Sequence, residues 1–134
     1  MITYLVDANV LLRYLLHDNS AQLKVIYQHL AKVKEGKAKI VVLSEVIPEV
    51  EYVLRKVYKV VRAEIADKLM SILKTTYLDV EKKKEWLEAL VYYTKYNIDP
   101  VDALLFIQAK ERGLVVLSFD EDFKKLKRYE RRNI

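Results

Sequence analysis

One continuous stretch, residues 98–123 (IDPVDALLFIQAKERGLVVLSFDEDF), limits most strongly what this chain can fold into. Asp99 followed by Pro100 predicts the start of a helix, because aspartate caps helix N-termini and proline suits the first helical position. Apolar residues then recur at helical spacing, and Gly113 is placed to end the helix in the left-handed conformation. The uncharged residues 114–117 predict a strand that is covered on both faces.

The acids of this stretch lie where α/β proteins bind their ligands. Asp102 falls in the first turn of the predicted helix, and Asp120 and Asp122 follow the predicted strand directly. In open α/β sheets, ligands bind in the crevice at the carboxyl ends of the strands. We therefore expect a site at this edge of the sheet, provided that the other acids of the chain reach it.

Three earlier segments predict further strands. Residues 2–6 (ITYLV) predict a central strand that ends at Asp7, and residues 39–43 (KIVVL) predict the second strand. Residues 76–80 (TYLDV) predict a short edge strand, and two helices are predicted between each strand and the next. This order predicts a three-layer α/β/α sandwich around a mostly parallel sheet, in a single domain of residues 1–134.

The helix predicted after the second strand offers two candidates for an acid at the same edge. Ser44 is predicted to cap this helix. Glu45 and Glu49 are four residues apart and share a face, while Glu51 is predicted to point away. Apolar neighbours around Glu49 indicate that its face is not fully solvated, which favours a functional role for it. Glu45 stays an alternative, and either glutamate can simply complement the helix dipole.

Composition excludes several classes of protein and site. The chain has 134 residues, of which 52% are hydrophobic, and it has no cysteine, so disulfides, thiolate catalysis and cysteine-based zinc sites are excluded. Two histidines disfavour a histidine-rich metal site. No apolar run approaches the roughly 20 residues that span a membrane, and the first strand begins at once, so we expect a cytoplasmic protein. Abundant Lys and Glu favour a thermophilic source.

The acids at the predicted strand ends and helix starts form a candidate metal site. The candidates are Asp7, Glu49, Asp102 and Asp120, although Asp7 taken alone could equally cap the helix that follows it. Several carboxylates held close together repel one another, and a divalent cation removes that conflict. Hard oxygen ligands favour Mg²⁺ or Mn²⁺ over zinc. Such an ion supports phosphodiester hydrolysis without a protein nucleophile.

Other polar residues are candidates for supporting roles. Asn9 and Ser118 are placed to orient the metal ligands or to hold a water molecule. The chain has a net charge of +5, and residues 124–132 (KKLKRYERR) are strongly basic. This segment is either a solvated terminus or a phosphate-binding surface. The candidate RNA-binding residues in it are Lys124, Lys125, Lys127 and Arg128.

Four segments together resemble PIN-domain nucleases, of the VapC-type ribonuclease toxins found in VapBC toxin–antitoxin pairs. They are LVDANVLLRYLL, LSEVIPEVEYVL, DPVDALLFIQA and VVLSFDEDF, in family order and over nearly the whole chain. The resemblance implies a compact α/β/α domain with Mg²⁺-dependent endoribonuclease activity. It also implies homodimers, and a small antitoxin partner that blocks the acidic cleft.

The resemblance implies a role for each matching residue. The family's four acids fall on Asp7, Glu49, Asp102 and Asp120, and its Ser or Thr before the last acid falls on Ser118. Two placements have competitors: Glu45 for the second acid, and Asp122, which can share or replace the role of Asp120.

Three other classes of protein compare less well with these residues. A haloacid-dehalogenase phosphatase needs a second aspartate as general acid where this chain has Asn9. A phosphate-receiver domain needs an acidic pair after the first strand, and Asp7 has only Ala8 and Asn9 beside it. A non-catalytic PIN-like module that binds RNA or protein is the strongest alternative, and the presence of all four acids argues against it.

Overall fold

The computed structural model describes residues 1–132, with side chains to residue 128, and divides the chain into two compact units, Met1–Lys83 and Lys84–Ile134. The first unit contains β1 (Ile2–Leu5), α1 (Ala8–Leu16), α2 (Ser20–Lys34), β2 (Ala38–Val42), α3 (Val46–Lys56), α4 (Arg62–Lys74) and β3 (Asp79–Val80). Helix α5 (Lys83–Tyr96) begins at the boundary, and α6 (Pro100–Glu111) and α7 (Glu121–Arg132) follow in the second unit. A single domain of residues 1–134 stays a prediction.

The three strands form a parallel sheet in the order β1-β2-β3. The register pairs Ile2 with Ala38 between β1 and β2, and Val42 with Val80 between β2 and β3. Two helices connect each strand to the next, α1 and α2 first and then α3 and α4, as the sequence predicts. The α/β fold class with a parallel sheet is therefore confirmed, and so is the short edge strand at β3.

The prediction that β1 is a central strand is wrong. Within residues 1–132, β1 pairs with β2 alone, and β2 is the middle strand of the sheet. The edge position agrees with the exposure of Ile2 and Leu5, which are 60% and 66% exposed. An apolar run indicates a strand, but its place in the sheet depends on which partners pair with it.

The predicted strand at residues 114–117 is also wrong. These residues have no regular secondary structure, and Val115 and Leu117 are 79% and 97% exposed. A strand exists only where a neighbouring chain segment satisfies its backbone groups, and no strand of the described residues pairs with this one. A run without charged residues indicates a hydrophobic segment, but it does not indicate whether another strand pairs with that segment.

The helix predicted between Asp99 and Gly113 is confirmed at both ends. Asp99 is the N-cap of α6 and Pro100 is its first residue. At the other end Gly113 has a φ of +65°, its N–H donates to the Lys110 carbonyl, and the Leu114 N–H donates to the Ala109 carbonyl at 2.8 Å. These two hydrogen bonds form a Schellman motif, which requires the left-handed conformation that glycine adopts without strain.

The core of the first unit is built around α3. Its buried residues Ile47, Val50 and Leu54 are fully inaccessible, and α3 contacts both α1 and α4. The N-cap residue of α3 is Glu45 rather than the predicted Ser44, and Glu45 makes no side-chain capping hydrogen bond. Among the described residues, no helix is long and apolar enough to cross a membrane.

Candidate functional site

Three carboxylates converge in the second unit. Asp102, Asp120 and Asp122 each offer an oxygen atom, and these three atoms lie within 4.8 Å of one another. Asp102 and Asp120 are two of the four acids predicted from the sequence, and Asp122 is the predicted competitor of Asp120. The cluster joins the start of α6 to the start of α7, two helices that contact each other.

The N-terminus of α6 holds Asp102 in place. The Asp99 carboxylate accepts hydrogen bonds from the Val101 N–H at 2.9 Å and from the Asp102 N–H at 3.4 Å. Pro100 between them fixes its own φ close to the helical value and lacks an N–H that would need a partner. The backbone at Asp102 is therefore restrained by its neighbours, and its carboxylate is left available for other contacts.

Two short turns place the other acids of the cluster. The Ser118 hydroxyl accepts a hydrogen bond from the Asp120 N–H at 3.0 Å, and the Asp120 carboxylate accepts one from the Asp122 N–H at 2.9 Å. Side chains of serine and aspartate often form such turns with the backbone two residues later. Ser118 thus orients the backbone of Asp120, and its supporting role at a metal site stays a prediction.

The cluster is electrostatically crowded. Partial burial raises the pKa of Asp102, and the nearby charges of Asp99, Asp120 and Asp122 raise it further. A carboxylate whose negative form is disfavoured by burial and by like charges is stabilised by a neighbouring cation. The donor set consists of carboxylate oxygens alone, and such oxygens are the ligands that Mg²⁺ and Mn²⁺ prefer. The residues present therefore fit a hard divalent cation.

Asp7 and Asn9 lie in the first unit, where β1 leads into α1. The Asp7 carboxylate accepts a hydrogen bond from the Val10 N–H at 3.1 Å and so caps α1. Both residues are exposed to solvent. A carboxylate has about four lone-pair positions, and the cap uses one of them, so a second function for Asp7 remains chemically open.

The prediction that Glu49 lies on a partly covered face of α3, with Glu51 pointing away, is wrong. Glu49 and Glu45 are exposed, whereas Glu51 is 1% exposed. The buried face passes through Ile47, Val50 and Leu54, and Glu51 lies beside this row. Its charge is compensated by the Arg55 guanidinium one turn later, whose Nε lies 2.9 Å from the carboxylate. Apolar neighbours in sequence thus indicated a buried face but not which glutamate lay on it.

The basic segment predicted to bind phosphate forms much of α7, which is helical as far as Arg132. Lys124 lies 3.2 Å from Glu121, and Lys125 lies 3.8 Å from Asp122, so both pair with acids on their own helix. Lys127 and Arg128 are exposed. Exposed ion pairs contribute little free energy, so all four basic side chains remain accessible to an anionic ligand.

Asp122 is the member of the cluster that sequence reasoning placed least firmly. The signal for it was the spacing Asp120-Glu121-Asp122 at the start of a helix. Because Asp120 caps the first turn, the residue two positions later is brought back towards it. The capping pattern, considered together with the acid spacing, would have predicted that both aspartates face the same place.

The sequence is similar to known proteins along most of its length. A family model described as PIN domain matches residues 4–129. Among curated proteins, the chain is similar to a VapC ribonuclease of Aquifex aeolicus (strain VF5), with 33% identity over 123 residues, 91% of this chain and 90% of the relative. No solved structure matches the chain.

Proposed function

Because this chain belongs to the PIN domain family, we propose that it is a metal-dependent endoribonuclease, and the toxin of a toxin–antitoxin pair. The single observation that carries this proposal is the convergence of three carboxylate oxygens within 4.8 Å, at the start of two helices. The similarity to a VapC ribonuclease supports RNA as the substrate. The hard oxygen donors support Mg²⁺ as the cofactor, with Mn²⁺ as a substitute.

The cluster supplies the ligands in this proposal. Asp102 and Asp120 hold the divalent cation, and Asp122 shares that role. A bound cation of this kind would help to ionise an attacking water and would neutralise charge that develops on the leaving oxygen of a phosphodiester. Asp99 and Ser118 keep the ligands in position through the backbone hydrogen bonds described above, because a ligand that moves by a fraction of an ångström binds metal less tightly.

We assign catalytic roles to two acids of the first unit, Asp7 and Glu49, on the strength of their sequence positions within the family pattern. Glu45, the N-cap residue of α3, stays the alternative to Glu49, and both are exposed. Asn9 is assigned a supporting role because it lies two residues after Asp7. Substitution of each residue tests these assignments.

The basic residues of α7 form the proposed contact with the RNA backbone. Lys124, Lys125, Lys127 and Arg128 lie on the helix that begins directly after Asp120. Phosphate contacts of this kind supply affinity that does not depend on sequence and that falls as salt rises. The carboxylates alone would repel RNA, so a neighbouring basic surface offsets that repulsion.

Two partners other than RNA belong to the proposal. A small antitoxin protein that covers the acidic cluster would keep the nuclease inactive, and the VapC name of the relative supports this partner. A homodimer is the proposed assembly, and the cytoplasm is the proposed location. Co-purification of the chain with the product of an adjacent short reading frame would test for the antitoxin.

Cleavage of a labelled single-stranded RNA tests the proposed function directly. We expect cleavage in Mg²⁺, loss of cleavage in excess EDTA, and recovery when Mg²⁺ or Mn²⁺ is added back, because the carboxylates alone provide no activated nucleophile. Cleavage that persists in EDTA would contradict the metal mechanism. RNA that binds in Mg²⁺ and stays intact would instead assign the chain to the non-catalytic binding modules.

A further inference from the structure

A cleft of about 340 Å³ opens beside Asp7 in the first unit, between the start of α1 and α2. Its polar side is formed by Asp7, Asn9, Arg13 and Gln22, and its apolar side includes Val25. This volume lies at the lower end of the range of about 300–1,000 Å³ that is usual for small-molecule sites. Apolar walls with a few polar groups are also typical of such sites.

Two of the polar side chains in the cleft are available to a ligand. Among the described side chains, the carboxamides of Asn9 and Gln22 have no hydrogen-bond partner, since the hydrogen bond from Gln22 to Asn19 uses the backbone N–H of Gln22. Arg13 is different. Its guanidinium donates to the Asp18 carboxylate at 2.7 Å and to the Tyr58 hydroxyl at 2.9 Å, so it is already held in place.

We propose that this cleft is a subsite for one unpaired nucleobase of the RNA, and that Gln22 selects the base. The inference rests on the proposed function, since it takes RNA as the substrate. It goes beyond that function because it names a residue that determines base preference and that lies outside the four segments that resemble the family.

The chemistry of the lining favours a base over a phosphate. A carboxamide has both a donor and an acceptor, which match the edge of an unpaired base, and it carries no charge to attract a phosphate. The cationic side chain in the cleft, Arg13, is only 21% exposed and is bonded to both Asp18 and Tyr58, so it offers little charge to a phosphate. The apolar wall gives the flat face of a base a surface to pack against.

Gln22→Ala tests the inference through the base preference of cleavage. RNA oligonucleotides that differ in one base, at each position in turn, are cleaved by the wild-type protein and by the variant, and kcat/KM is compared for each base. We expect the ratio between the best and the worst base to fall about tenfold in Gln22→Ala, since a well-formed contact to a base edge contributes discrimination of that order. Gln28→Ala is the matched control, because Gln28 is exposed on the same helix and does not line the cleft.

A second measurement tests whether nucleotides bind in the cleft, and it does not depend on RNA cleavage. Each of the four nucleoside monophosphates is added to isotope-labelled protein, and the side-chain NH₂ resonances of Gln22 and Gln28 are followed. We expect a saturable shift at Gln22 for one base above the others, and no shift at Gln28. Absence of any shift at Gln22, or an unchanged base preference in an active Gln22→Ala, overturns the inference and leaves the proposed function standing. If the wild-type protein cleaves no RNA, the proposed function is contradicted. The shift at Gln22 then still tests whether the cleft binds a base.

Discussion

Asp102→Asn is expected to reduce RNA cleavage by at least about 100-fold, because loss of a partner that merely orients a metal ligand already costs 10–100-fold. The substitution keeps the size of the side chain and removes the charge that holds the cation. It lies in a helix whose cap is supplied by Asp99, so the backbone contacts of α6 stay in place. Cleavage of a labelled RNA in Mg²⁺ by the purified variant and by the wild-type protein measures the effect.

The same substitution is expected to leave the metal-free protein as stable as the wild type, or more stable. Burial and the nearby acids raise the pKa of Asp102 in the folded state above its unfolded value. The folded state therefore gains stability as the pH falls through that raised pKa, and it loses this stability as the pH rises through it. Asparagine does not ionise, so Asp102→Asn does not lose this stability at neutral pH.

Thermal unfolding in EDTA across acid and neutral pH tests this second expectation. The gap in melting temperature between Asp102→Asn and the wild type should widen as the pH rises from acid towards neutral. Glu111→Gln, at an exposed position near the end of the same helix, is the matched control and should change neither cleavage nor melting. A large fall in the melting temperature of metal-free Asp102→Asn would make Asp102 a structural residue.

Asp7→Asn is expected to abolish cleavage with little change in stability. Asparagine caps a helix about as well as aspartate does, so the hydrogen bond from the Val10 N–H to residue 7 is retained. What the variant loses is the negative charge, and with it the catalytic function that we propose. Cleavage rate and melting temperature, measured on the same preparation, separate the two roles of this side chain.

Asp7→Ala provides the comparison for the cap. This variant loses both the charge and the capping oxygen, so its unfolding free energy should fall by about 1 kcal/mol. Asp7→Asn keeps the capping oxygen and should not show this fall. If Asp7→Asn cleaves RNA as fast as the wild-type protein does, Asp7 is a helix cap and nothing more, and the proposed catalytic set is wrong at this position.

Features that depend on near neighbours in sequence were predictable from the chain alone. Asp99 and Pro100 start α6, and Gly113 ends it, because caps and left-handed turns are decided within a few residues. The same locality explains Ser118, whose hydroxyl bonds the backbone only two residues away. The remaining acids were predicted from the family pattern, and two of them, Asp102 and Asp120, lie close together.

Features that depend on distant partners were not predictable in this way. Residues 114–117 have the composition of a buried strand and lack the pairing that makes one, so they remain exposed. Glu51 is buried because Arg55 compensates its charge, whereas the apolar neighbours of Glu49 do not cover it. Hydrophobic pattern predicts that a face is buried, but which strand pairs, and which charge is compensated, are decided by the tertiary structure.

The central claim is that the aspartates at the start of α6 and α7 bind a divalent cation. Crystals soaked in Mn²⁺, with data collected near the manganese absorption edge, test it most directly. We expect an anomalous peak about 2.1 Å from carboxylate oxygens of Asp102 and Asp120. A map that shows these carboxylates clearly, with manganese elsewhere or nowhere, would contradict it.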